Sequence, residues 1–111
     1  MTYTREFVLA KVRQEFPHSE AEEVLAILET YGEFDYERER KRVQLAILKL
    51  SEGNIDKLRA NVKIAKQDYR DVLAYAEYPS EMRYPTWRME AQKVETIRQT
   101  DRKQYQEWLK R

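Results

Sequence analysis

The stretch Ile55-Asp-Lys-Leu-Arg-Ala-Asn-Val-Lys-Ile-Ala-Lys-Gln-Asp-Tyr-Arg-Asp-Val-Leu-Ala-Tyr-Ala-Glu77 places Ile55, Leu58, Val62, Ala65, Tyr69, Val72 and Ala76 at alternating steps of three and four. That spacing keeps one apolar seam on one side of an α-helix for three heptads. At ~1.5 Å per residue the segment predicts a rod of roughly 35 Å. A folded chain of 111 residues has a radius of gyration near ~13 Å, so such a rod crosses its full width. The helix therefore sets the architecture, and the remaining segments are expected to pack along it.

Working outward, Gly53-Asn54 marks the upstream break, with glycine ending one helix and asparagine capping the next. Downstream, Pro79 forces Tyr78 out of the helical region and stops the rod. A first helix is expected from about Thr4 to Phe16, with Leu9, Val12 and Phe16 on one side and Pro17 as its stop. Ser19-x-x-Glu22 reads as a capping box ahead of Ala21, Val24, Leu25, Leu28 and Tyr31, closed by Gly32. Asp35 is expected to cap a third helix reaching about Glu52 through Val43, Ala46, Ile47 and Leu50. A fifth helix should start near Pro85, a residue suited to a first helical turn. Its apolar signal fades after Ile97, because residues 98–104 are all polar, before Tyr105, Trp108 and Leu109 return. Residues 98–111 therefore read as a frayed tail or a helix that needs a partner to settle.

Composition agrees with helices. Two glycines and three prolines are few for a sheet protein of this length. The length predicts one domain covering residues 1–111. Cysteine is absent, which removes disulfides, thiolate metal sites and cysteine nucleophiles. The longest purely apolar run, Leu45-Ala-Ile-Leu48, is far too short to span a membrane. The stretch Met1-Thr-Tyr-Thr-Arg-Glu-Phe7 lacks the basic head and apolar core of a secretory signal, so a cytoplasmic location is expected.

Catalytic chemistry finds little footing. The one histidine, His18, sits in the joint between the first two helices, which rules out paired Glu-x-x-His di-iron motifs and the common zinc sets. The two glycines stand alone, so no phosphate loop exists. Glu20-x-x-Glu23 and Asp68-x-x-Asp71 are acidic pairs of the general kind that helical magnesium-dependent nucleotide hydrolases use. At ~100° per residue, however, Glu23 and Asp71 point away from their helices' apolar stripes. A non-enzyme with no cofactor and no metal is the expectation.

Two surfaces remain as candidates. On the long helix Arg59, Lys63, Lys66 and Arg70 follow at steps of four, three and four, forming a basic stripe. Either the acids of the second helix (Glu20, Glu22, Glu23 or Glu29) lie alongside it, or it meets a polyanion such as nucleic acid. The charge is uneven along the chain: residues 1–35 carry −5 and residues 36–66 carry +5, within a net +1. Such asymmetry suits internal complementation, docking of two copies or an anionic partner. The second surface is Tyr75-Ala-Glu-Tyr-Pro-Ser-Glu-Met-Arg-Tyr-Pro-Thr-Trp87, where two Tyr-Pro steps gather rigid aromatics around a soft thioether. Tyrosine, tryptophan, arginine and methionine are the types enriched at interface cores. Tyr75, Tyr78, Met82, Tyr84 and Trp87 are the candidate partner-binding residues, unless the rings turn inward to close the core.

The stretch Leu45-Ala-Ile-Leu-Lys-Leu-Ser-Glu-Gly-Asn54, running into Ala65-Lys-Gln-Asp-Tyr-Arg-Asp-Val-Leu73 and Ala76-Glu-Tyr-Pro79, resembles a family of small uncharacterised bacterial all-helical proteins. The resemblance covers about the middle third of the chain. It implies a bacterial cytoplasmic protein, and since that family carries no assigned activity it transfers no site.

The combined expectation is an all-α antiparallel bundle of four main helices with a looser fifth. Its function is a protein–protein interaction or self-association module, with a homo-oligomer as the expected state. A nucleic-acid or polyanion-binding regulator is the first alternative, and a magnesium-dependent nucleotide hydrolase the second.

Overall fold

The computed structural model describes residues 3–111. Met1 and Thr2, at the head of the stretch read for a secretory signal, lie outside the described residues. Among the described residues every regular element is helical. The chain, expected from its length to be one domain, folds as two compact units, Met1–Leu73 and Ala74–Arg111.

In the first unit, α1 spans Arg5–Glu15, α2 Ala21–Leu28, α3 Arg40–Ser51 and α4 Ile55–Gln67. Thr4 starts α1 by accepting from the Phe7 N–H at 3.1 Å, and Phe16 leaves it in an extended conformation ahead of Pro17. The expected capping box does not form. Ser19 lies inside a 3₁₀ turn, His18–Glu20, in which Glu20 N–H donates to the Pro17 carbonyl and Ala21 N–H to that of His18. Those backbone bonds satisfy donors that the serine hydroxyl would otherwise have met.

Asp35 does not cap α3 either, because the helix begins at Arg40 after Glu39 in a left-handed conformation. The segment between Tyr31 and Glu39 closes on itself around Glu37. Once there, α3 buries Val43 and every residue from Gln44 to Leu48. It packs on α1 and α4, while α2 packs on α1 and α4. Arg5 and Glu29 add a two-pronged ion pair at 2.9 and 3.0 Å between the start of α1 and the residue that ends α2.

The turn after α3 is built as its sequence suggests. Gly53 has φ +73, and a Cβ there would lie 2.8 Å from the Glu15 carbonyl oxygen at the end of α1. Asn54 Oδ1 then caps α4 by accepting from Lys57 N–H at 3.0 Å.

The long rod is not continuous, which corrects the expectation for Ile55–Glu77. Asp68 is extended (φ −156, ψ 100) and separates α4 from α5, Tyr69–Glu77. Its carboxylate accepts from the Arg70 N–H at 3.0 Å, so it caps a new helix rather than continuing the old one. Of the expected seam, Leu58, Val62, Ala65, Val72 and Ala76 are buried, while Ile55 and Tyr69 are half-buried.

In the second unit, α6 is the short Pro79–Arg83 turn, with Pro79 at its first helical position. A 3₁₀ turn follows at Thr86–Arg88 and then α7, Ala91–Lys110. The fifth helix therefore starts after Pro85, not at it, because Met89 and Glu90 are extended. Residues 98–110 are helical and lie within α7. Within α7, Asp101, Tyr105, Trp108 and Leu109 are buried, and the Tyr105 and Trp108 rings stack at 5.7 Å. α6 packs on α7.

Candidate interaction surface

The second unit carries the Tyr-Pro segment, and its geometry begins with a buried carboxylate. Asp101 is 1% exposed and its Oδ2 accepts from the backbone N–H of Ser80 at 3.0 Å and of Glu81 at 3.1 Å. A five-residue helix cannot supply partners for its own leading N–H groups, so a carboxylate from α7 does so. The Glu81 side chain in turn binds Arg98, again on α7, at 2.8 Å. Arg102 of α7 donates to the Tyr78 hydroxyl at 3.4 Å. Three links thus fix the backbone that leads into Met82, Arg83 and Tyr84.

The five candidate partner-binding residues then divide. Tyr78 is half-buried and engaged by Arg102. Tyr75, Met82 and Tyr84 are about half exposed, at 52%, 43% and 49%, and Trp87 reaches 77%. The Arg88 guanidinium lies 4.5 Å from the centroid of the Trp87 ring, a cation–π contact that holds the indole at the surface. Arg83 is exposed and makes no ion pair among the described residues. No cis peptide bond occurs among the described residues, so the Tyr-Pro steps are trans.

The basic stripe lies in the first unit, and three of its four cations are already engaged. Arg59 binds Glu23 of α2 at 3.0 Å, the arrangement that an acidic second helix alongside would give. Lys66 binds Glu37 at 3.0 Å. Arg70, beyond the break, binds Asp68 two residues earlier at 3.0 Å. Lys63 is exposed and makes no ion pair among the described residues.

Glu37 is a residue whose role the sequence conceals. In sequence it is an acid beside the cations Arg38, Arg40, Lys41 and Arg42, yet it is 6% exposed in the turn before the third helix. Its Oε1 accepts from Gly32 N–H at 2.8 Å and Glu33 N–H at 3.0 Å, and its Oε2 from Lys66. Burial pushes its carboxyl up, but the Gly32 N–H and the Lys66 ammonium outweigh that and hold it below the usual carboxylate range. Tyr31 braces the same turn by donating its hydroxyl to the Arg38 carbonyl at 2.7 Å, and burial pushes that phenol up to about 12.

The turn so fixed exposes Phe34 (52%) and Tyr36 (67%), with parallel rings 5.6 Å apart. The apolar periodicity of the helices does not reveal this pair. Its signal was Glu33-Phe-Asp-Tyr36 directly after Gly32, where two aromatics stand between acids and no apolar seam claims them.

The first unit also carries concavities. An open groove of about 540 Å³ is lined by Arg5, Leu9, Arg13, His18, Ser19 and Leu25, among others. A smaller cleft of about 250 Å³ lies at the α4 end, lined by Tyr36, Lys66, Tyr69 and Arg70 among others. Neither gathers an acid–base–nucleophile set: His18 is exposed, with no hydrogen bond to an acid or hydroxyl among the described residues. Among those residues no group of three or more His, Cys, Asp or Glu side chains is arranged to hold a metal ion. Among the described residues no helix is long and apolar enough to cross a membrane.

Comparison with protein-family profiles, with curated protein sequences and with solved structures finds no match to this chain.

Proposed function

We propose that this chain is a non-enzymatic interaction module that associates with a second copy of itself through the Tyr75–Trp87 segment. The observation that carries this function is Trp87, a large apolar ring 77% exposed within a segment braced from beneath. Single exposed apolar residues are ordinary, but here four large ones fall within thirteen residues. Tryptophan, tyrosine, methionine and arginine are the types that carry binding energy when an interface covers them. Proline and the Asp101 bonds lower the ordering cost that binding would otherwise incur. Size-exclusion chromatography with light scattering tests the function: the native chain should associate, and Trp87→Ala should weaken that association.

The polyanion alternative draws less support. Arg59, Lys66 and Arg70 each already have an acidic partner, and an anionic ligand would have to displace it. The hydrolase alternative draws less still, because Glu23 and Asp68 are the partners of Arg59 and Arg70.

A further inference from the structure

Among the described residues, the exposed large apolar side chains other than Ile64 and Tyr75 fall into two sets whose immediate neighbours in sequence carry opposite charges. In the first unit Phe34 and Tyr36 alternate with Glu33 and Asp35, both exposed and neither ion-paired among the described residues. The Glu37 carboxylate and the Glu37 N–H bond to the Phe34 carbonyl at 2.9 Å hold this loop in one shape. Of the cations beside it, Lys66 lies 5.4 Å from the Phe34 ring centroid and is bound to Glu37, Arg40 is turned back onto the Gly32 carbonyl at 2.6 Å, and Arg38 is exposed. In the second unit Met82, Tyr84 and Trp87 alternate with Arg83 and Arg88, both exposed. Of the acids flanking the segment, Glu81 is bound to Arg98 and Glu90 is exposed.

We infer, resting on the self-association proposed above, that the Glu33-Phe34-Asp35-Tyr36 loop of one copy docks on the Met82–Arg88 segment of another. Glu33 and Asp35 meet Arg83 and Arg88, while the Phe34 and Tyr36 rings cover Tyr84 and Trp87. Charge decides the occupant. Two Met82–Arg88 segments set face to face would oppose their own arginines, and two loops would oppose their own carboxylates. Loop on segment pairs opposite charges and aromatic with aromatic, which favours the correct encounter and penalises the alternatives. Both partners are held in shape before they meet, so little ordering cost remains.

A charge exchange tests this. One variant carries Glu33→Lys with Asp35→Lys, the other Arg83→Glu with Arg88→Glu; all four positions are exposed, and circular dichroism checks that each variant folds. Alone, each variant opposes like charges and should associate about ten-fold more weakly or worse than the native chain. Mixed in equal amounts, the two regain opposite charges between the loop of one and the segment of the other, and association should return to the native level. A mixture that stays monomeric would overturn the docking of the loop, as would either variant alone keeping native association. If the native chain associates and Trp87→Ala does not, while both charge variants still do, the segment remains the interface and only its occupant is wrong. A native chain that is monomeric at every concentration removes the proposed function as well.

Discussion

Asp101 and Ser80 are joined by a 3.0 Å hydrogen bond from the Ser80 backbone N–H to a carboxylate that is almost wholly buried. Through it, a residue in the most polar stretch of α7 sets the shape of the segment that exposes Tyr84 and Trp87. Removing that acceptor strands two N–H groups. Asp101→Ala is expected to lower the stability of the second unit by about 1–2 kcal/mol. Amide hydrogen exchange at Ser80 and Glu81 reads this directly and should quicken, and Asp101→Asn, which keeps one acceptor, should recover part of the protection. Unchanged exchange would mean that the carboxylate does not hold the turn.

The Glu37 carboxyl makes the first unit sensitive to acid. Its folded pKa lies below its unfolded value, so its contribution is fully present above the ordinary glutamate range near ~4.3 and lost as pH falls through the lower folded value. Glu37→Gln removes the titration and the ion pair with Lys66. It should cost about 1–3 kcal/mol at pH 7. Urea unfolding of both proteins from pH 7 to pH 3 checks the sign: the gap between them should narrow on acidification. A constant gap would show that Glu37 is not ionised in the fold.

Gly53 has both a left-handed backbone and a close neighbour, with the Glu15 carbonyl oxygen 2.8 Å from where a Cβ would stand. Gly53→Ala should therefore destabilise the chain by about 1–2 kcal/mol or more, since backbone rather than a mobile side chain must give way. Thermal unfolding measures it, and an alanine variant as stable as the native chain would contradict the close approach.

The helices were legible because burial imposes a period. Of the seam from Ile55 to Ala76, five of seven residues are buried, while Ile55 and Tyr69 are half-buried, and the helix breaks inside it. The break was invisible for the same reason: the three-and-four spacing of apolar residues runs unbroken past Asp68 in the sequence. Caps were harder to read. Asn54 caps as expected, but backbone bonds replaced Ser19, and Glu37 with its turn displaced Asp35. Asp101 was hidden in a run that looks like solvated surface. A buried carboxylate is worth its desolvation only when N–H donors from elsewhere in the fold converge on it, and sequence does not say where they come from. For the candidate surface, composition pointed to the Tyr-Pro segment, but which rings face outward depends on how α6 packs on α7.

The paired state of the basic stripe has its own consequence. Titration of a fluorescent single-stranded oligonucleotide at low salt should give no saturable binding. Saturable binding that weakens steeply as salt rises, and is lost on Lys63→Glu, would instead favour the polyanion alternative.

Self-association through Trp87 is tested most directly by sedimentation equilibrium of the native chain and Trp87→Ala over a wide concentration range. The native chain should rise from its monomer mass of 13.5 kDa towards twice that value, while the variant stays near the monomer mass over the same range. A native chain that remains at the monomer mass throughout, or a Trp87→Ala variant that associates as tightly as the native chain, would contradict it.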